Sequence, residues 1–208
     1  MQGMEASATA AMTMTQVVAE SMVAAPSAAA PDRRFQPPEI VCGSDLECLD
    51  SFLVARTPRD LAWLNAHGYP SMRELDALQA ESSGVLAARI ARGSRAAMVV
   101  LGARLIEGDR DEEGLDLLRR AADAGSIYAY YELSNAHARS PDLADRIEAA
   151  AFLRVAYILG DARAALELQR RFIELGPRDH IRVDARAASL HRTFAKSRRP
   201  DPRPMDAD

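Results

Sequence analysis

Apolar side chains recur three and four positions apart from residue 44 onward, which is the spacing of one face of an α-helix. The first such stripe predicts a helix over residues 44–54. Thr57 followed by Pro58, and Ser71 followed three residues later by Glu74, are typical of helix beginnings. β-branched residues are sparse and no clear run alternates with a period of two, so the pattern predicts an all-α protein.

A repeat appears when the chain is aligned on Gly93, Gly125 and Gly160, which are spaced 32 and 35 residues apart. Small and leucine side chains recur at fixed offsets from these glycines. They are Ala97, Ala129 and Ala164 (four after), Leu101, Leu133 and Leu168 (eight after), Ala121 and Ala156 (four before), and Leu118 and Leu153 (seven before). These helical offsets predict two helices per unit, and each glycine lies where one helix ends and the next begins. One hairpin cannot bury its apolar face alone, so we expect neighbouring hairpins to stack into a short α-solenoid.

The residues of this repeat resemble Sel1-like repeats, which are relatives of tetratricopeptide repeats. The segment from Gly114 to Gly125, Gly-Leu-Asp-Leu-Leu-Arg-Arg-Ala-Ala-Asp-Ala-Gly, is similar to the family's second helix and its ending. Leu101-Gly102 is similar to the Leu-Gly of the first helix, and Gly108 lies where the family has a glycine-containing loop. The resemblance covers residues 93–175. It implies antiparallel helical hairpins and a non-catalytic adaptor or scaffold that binds other proteins.

We expect four regions along the chain. Residues 1–38 are rich in Ala, Met and Pro and are predicted to be a disordered or leader-like tail, although no Lys or Arg of a signal peptide precedes Arg33. Residues 39–92 are predicted to form short N-terminal helices, which either cap the repeats or are an addition to them. Residues 93–196 should hold the Sel1-like repeats and a C-terminal helix. Residues 197–208 are predicted to be a disordered proline-rich tail.

The candidate partner-binding residues come from the expected geometry of the solenoid. The first helix of each hairpin should line a concave groove, and positions three, seven, ten and eleven after each glycine fall off its apolar stripe. Exposed Tyr and Arg side chains are the types that dominate protein interfaces. The candidates are Arg104, Tyr128, Glu132, Asn135, Arg163, Glu167, Arg170 and Arg171. In the alternative interpretation, Tyr128 packs against the neighbouring hairpin and the arginines only solvate the surface.

The chain has two cysteines, Cys42 and Cys48, and five residues separate them. This spacing permits a small disulfide loop, and a disulfide would place the protein in an oxidising compartment, either periplasmic or secreted. Two separate thiols would instead be compatible with the cytoplasm. The alternative function is therefore an exported accessory or effector-like protein stabilised by this disulfide.

Charge and motifs argue against several other classes. The formal net charge is −4, which does not favour nucleic acid as a partner, although residues 182–203 are locally basic. No phosphate-binding loop, nucleophile motif or zinc motif is present, so we expect no enzyme activity, no cofactor and no metal site. Acidic residues 111–113 are expected at a helix beginning, where carboxylates complement the helix dipole. No apolar run reaches the roughly 18 residues of a membrane-spanning helix.

Overall fold

A computed structural model describes residues 51–195 and 199–204 of the chain, and within these ranges it contains nine α-helices and no strand. The prediction of an all-α protein is confirmed for this part. The helices are α1 (Pro58–Ala66), α2 (Met72–Ala80), α3 (Ser83–Ala91), α4 (Arg95–Glu107), α5 (Asp111–Asp123), α6 (Tyr128–Ala138), α7 (Leu143–Ile158), α8 (Ala162–Arg171) and α9 (Pro177–Leu190). A single π-helical turn, His191–Ala195, extends α9.

Side-chain caps and glycines set the helix ends as the sequence predicts. The hydroxyl of Thr57 accepts a hydrogen bond from the amide of Asp60 at 3.0 Å, and that of Ser71 accepts one from the amide of Glu74 at 3.1 Å. Helix α5 begins at Asp111, inside the predicted acidic run. The glycines that follow α1, α3, α5 and α7 all have positive φ angles, namely Gly68, Gly93, Gly125 and Gly160.

The helices after residue 94 pack largely in sequence order. Helix α4 lies against α5, and α6 lies against α7; α6 also contacts both helices of the preceding pair. Helix α7 contacts α8 and α9, and the π-helical turn reaches α5. Helix α9 thus packs along α7 and not along α8. Helices α8 and α9 therefore do not form a third hairpin.

Helices α4 and α5 approach each other closely at Gly102 and Gly114. A Cβ atom on Gly114 would lie 2.6 Å from the carbonyl oxygen of Gly102 and 2.5 Å from Cγ1 of Ile106, distances that real Cβ atoms essentially never show. Glycine at residue 114 is therefore required by the close approach of the two backbones.

Residues 51–57, which precede α1, form a turn and an irregular segment rather than the end of the helix predicted over 44–54. Phe52 from this segment stacks on Tyr131 with ring centroids 4.1 Å apart, and it also contacts Tyr128 at 6.2 Å. A non-helical segment suits this position because its carbonyl groups stay available to side chains of the helices, whereas a helix would use them internally.

The expectation of a disordered tail is wrong for residues 199–204. The amide of Asp201 donates to the carbonyl of Leu159 at 3.1 Å, and the amide of Arg203 donates to the carbonyl of Gly160 at 2.9 Å. Trp63 donates from its indole Nε1 to the carbonyl of Asp201 at 2.8 Å, and Arg203 is only 3% exposed. Proline and charge in this segment predict disorder locally, but the buried contacts of one arginine hold it on the helical body.

Candidate partner-binding site

A depression of about 380 Å³ lies between α2, α4 and α6. Apolar and polar residues both line it, and polar groups account for most of its exposed surface. The lining residues are Leu75 and Gln79 from α2, Val99, Val100, Ala103, Arg104 and Glu107 from α4, and Tyr128 and Glu132 from α6. The first helices of two successive predicted hairpins therefore contribute to one open concavity, and three of the eight candidate residues line it.

Arg104 on α4 links this helix to the end of α2. Its Nη1 donates to the carbonyl of Glu81 at 2.7 Å, and its Nη2 donates to the carbonyl of Gln79 at 2.9 Å. These are carbonyls at the end of α2 that no longer have a partner within the helix. Arg104 therefore helps to position α2 against α4, besides lining the depression.

Tyr128 forms part of the floor rather than an exposed anchor, because it is only 5% exposed. Its ring lies 5.9 Å from that of Tyr69, so this side chain packs inside the body and is not exposed as expected. Burial raises the pKa of the Tyr128 phenol well above its ordinary value, and the nearby carboxylate of Glu132 raises it further. The phenol therefore stays a hydrogen-bond donor at neutral pH.

Four further candidates lie on α6 and at the end of α8, outside the lining of this depression. Asn135 is exposed and donates to Oε2 of Glu132 at 3.0 Å. Arg170 is exposed and lies 3.6 Å from Oε1 of Glu167. Burial lowers the pKa of Arg171, while the charges of the carboxylates of Glu167 and Glu132 act in the opposite direction.

Arg163 is the second candidate whose predicted exposure is wrong, since only 5% of it is exposed. Its Nη1 donates to the carbonyls of Ser51 at 2.5 Å and Val54 at 3.0 Å. The irregular segment before α1 covers the beginning of α8, a contact that the repeat pattern does not contain. Burial lowers the pKa of Arg163 to about 10, and the positive charge of Arg203 contributes in the same direction.

Sequence reasoning missed a buried polar cluster beside Arg163, which we call the arginine pocket. It consists of Asp60, Tyr69, Tyr131, Asp161 and Arg203. The carboxylate of Asp161 is fully buried, and its Oδ2 accepts hydrogen bonds from Tyr69 at 2.6 Å and from Tyr131 at 2.7 Å. Burial raises the pKa of both phenols well above the ordinary value, so both stay protonated donors.

Arg203 lies between the two carboxylates of the pocket. Its Nε donates to Oδ1 of Asp60 at 2.7 Å and its Nη2 to Oδ2 of the same carboxylate at 3.3 Å, a two-point contact. Its Nη1 lies 3.4 Å from Oδ1 of Asp161. Burial alone would lower the pKa of Arg203, but the hydrogen bond to Asp60 and the charge of Asp161 outweigh it and raise that pKa.

The sequence offers only local signals for this pocket. Asp161 caps α8 by accepting from the amide of Arg163 at 3.1 Å, and Asp60 lies in the first turn of α1. Each position has an ordinary capping explanation by itself, and Arg203 lies 143 positions after Asp60 in the chain. Only the tertiary structure brings these groups together.

The chain matches no protein-family model, and neither curated proteins nor solved structures show significant similarity to it. Among the described residues, no group of three or more His, Cys, Asp or Glu side chains is arranged to hold a metal ion. No helix within those ranges is both long and apolar enough to cross a bilayer. Cys42 and Cys48, and with them the predicted disulfide, lie outside the described residues.

Proposed function

We propose that the chain is a non-catalytic adaptor of the Sel1-like type, a short solenoid of helical hairpins that binds a protein or peptide in the depression between α2, α4 and α6. The observation that carries the proposal is the open concavity at the first helices of two successive predicted hairpins. Open concavities on a protein surface are the usual places where partners bind. The recurring Gly, Ala and Leu positions support the same assignment.

The charges of the depression indicate the chemistry of the partner. Glu107 and Glu132 contribute carboxylates to its wall, while the guanidinium of Arg104 already contacts the carbonyls of α2. Leu75 and Val100 add a smaller apolar part to the lining. A segment that presents an apolar side chain next to a basic one would complement this lining, because unlike charges at an interface favour the correct partner and repel wrong ones.

The test begins with the full-length chain and a displayed library of short random peptides. Peptides selected on the immobilised protein are expected to combine apolar and basic residues. Their affinity should fall at least about tenfold for Glu132→Arg, because the reversed charge faces a basic ligand. Fluorescence anisotropy of labelled peptides measures the affinities.

Asp116→Arg is the matched control, since it reverses a carboxylate on the exposed face of α5, away from the depression. The control should leave the affinity within about twofold, as expected for a distant surface charge. If the selected peptides bound wild type and Glu132→Arg equally well, the depression would not be their binding site. That result would contradict the adaptor proposal in this form.

A further inference from the structure

The segment 199–204 lies on the helical body in the manner of a bound peptide. Residues 199–202 are exposed, and Arg203 is the buried side chain that anchors them. Two main-chain amides of the segment, those of Asp201 and Arg203, donate to the carbonyls of Leu159 and Gly160. One buried anchor with alternating main-chain hydrogen bonds is a recurring mode of recognition for extended peptides.

The pocket satisfies the whole guanidinium of Arg203. An arginine side chain has five N–H donors, and its three nitrogens here make five contacts with acceptors. Besides the carboxylates of Asp60 and Asp161, the acceptors are the carbonyls of Phe52 at 2.9 Å and Val54 at 3.3 Å. The ring of Trp63 lies 5.6 Å from the guanidinium carbon and adds a cation–π contact. A lysine ammonium could not reach this set of acceptors.

Groups outside the segment orient both carboxylates. Oδ2 of Asp60 accepts from the amide of Arg56 at 2.9 Å. Oδ2 of Asp161 accepts from the phenols of Tyr69 and Tyr131, and its Oδ1 accepts from the amide of Arg163. These contacts belong to the helical body, so the acceptors stay in place for a guanidinium whichever chain supplies it. A preorganised site loses little conformational entropy on binding.

We propose that the arginine pocket is a second docking site, specific for the arginine of an extended peptide segment, and that residues 199–204 are its exchangeable occupant. This proposal does not depend on the proposed function, because the depression between α2, α4 and α6 is a different site. A partner segment with arginine at the corresponding position would compete with residues 199–204 for the pocket.

The first experiment restores the guanidinium to the full-length variant Arg203→Ala. Ethylguanidinium supplies the atoms that the substitution removes, and ethylurea is its neutral counterpart. Trp63 is the only tryptophan of the chain and lies against the pocket, so its fluorescence reports occupation. We expect a saturable change in emission and a rise in the melting temperature with ethylguanidinium, and neither with ethylurea.

The second experiment tests a peptide in trans. The full-length variant Asp201→Pro/Arg203→Ala loses the amide that bonds to Leu159 as well as the anchor. A labelled peptide Arg-Pro-Asp-Pro-Arg-Pro, the sequence of residues 199–204, should bind this variant. Replacing its second arginine by citrulline, the neutral isostere, should weaken binding roughly ten- to hundredfold because charged hydrogen bonds are lost.

Adding Asp60→Asn to either variant is the matched control and should abolish both responses. If a variant does not fold by itself, the readout becomes recovery of helical circular dichroism when ethylguanidinium or the peptide is added during refolding. Absence of a saturable response, or an equal response in the Asp60→Asn background, would overturn the proposal and show that Arg203 has only a structural role. The binding of library peptides at Glu132 would be unaffected by that result.

Discussion

The guanidinium of Arg203 donates to the carboxylate of Asp60 at 2.7 Å, and both side chains are almost completely buried. The contact joins the first turn of α1 to a segment that follows the last helix. Burying an ion pair costs desolvation energy, which attraction and hydrogen bonding offset only when the geometry is good and the remaining polar atoms are satisfied. Here the carbonyls of Phe52 and Val54 and the second carboxylate, Asp161, supply those partners.

Replacing Arg203 by methionine should destabilise the protein by about 3–5 kcal/mol. The substitution keeps much of the side-chain volume but leaves the buried carboxylates of Asp60 and Asp161 without one of their compensating charges. Urea denaturation followed by Trp63 fluorescence measures the free energy of unfolding. Arg199→Met is the control, because this arginine is exposed on the same segment, and its effect should stay within about 0.5 kcal/mol. Equal midpoints for the two variants would contradict the assigned role of Arg203.

Replacing Tyr131 by phenylalanine should lower the free energy of unfolding by about 1–3 kcal/mol. The change removes only the hydroxyl that donates to Asp161 at 2.7 Å, so a buried carboxylate loses a donor while the stacking on Phe52 is kept. Tyr157→Phe makes the same chemical change at a ring that is 44% exposed and should have little effect. A loss of similar size in both variants would show that the Asp161 contact does not account for it.

Stability should decrease as the pH rises above 10. The ordinary phenol pKa is 10.0, and burial raises the pKa values of Tyr69, Tyr128 and Tyr131 in the folded chain. Between the unfolded and folded values the unfolded chain has released these protons and the folded chain has not. The unfolded state then binds fewer protons, so raising the pH favours unfolding. Arg163, with its pKa lowered to about 10, acts in the opposite direction.

The contribution of one tyrosine can be isolated by comparing wild type with Tyr131→Phe. Unfolding free energies measured from pH 9 to pH 11 should fall more steeply for wild type above pH 10, by about 1.4 kcal/mol per pH unit. Absorbance at 295 nm should show phenolate from this tyrosine only as the protein unfolds. Parallel pH profiles for the two proteins would rule out a raised pKa for Tyr131.

Replacing Gly160 by alanine should destabilise the protein by roughly 1–3 kcal/mol and weaken the attachment of residues 199–204. The φ angle of Gly160 is +123°, and an added Cβ would overlap the carbonyl oxygen of Asp201. Gly84→Ala is the control, because a Cβ at that position in α3 meets nothing within 4 Å. It should be neutral or stabilising by up to about 1 kcal/mol. Faster amide exchange at residue 201 in Gly160→Ala, but not in Gly84→Ala, would identify the segment as the affected part.

The sequence by itself determined the ends of several helices in the described region. Capping at Thr57 and Ser71 and the glycine at residue 160 act within a few residues of chain, so their effect can be predicted from local spacing. The apolar offsets from the repeat glycines likewise marked buried faces, as the fully buried Ala129 and Leu133 show.

The tertiary structure alone decided which polar side chains are exposed. Tyr128 and Arg163 lie off the apolar stripe of their helices, yet Phe52 and the carbonyls of residues 51 and 54 cover them. Residues 199–204 have a composition typical of disorder, yet Arg203 is buried. The physical reason is that burial of a polar side chain depends on acceptors brought from distant parts of the chain. Local periodicity carries no information about such partners, so the arginine pocket could be found only in the folded protein.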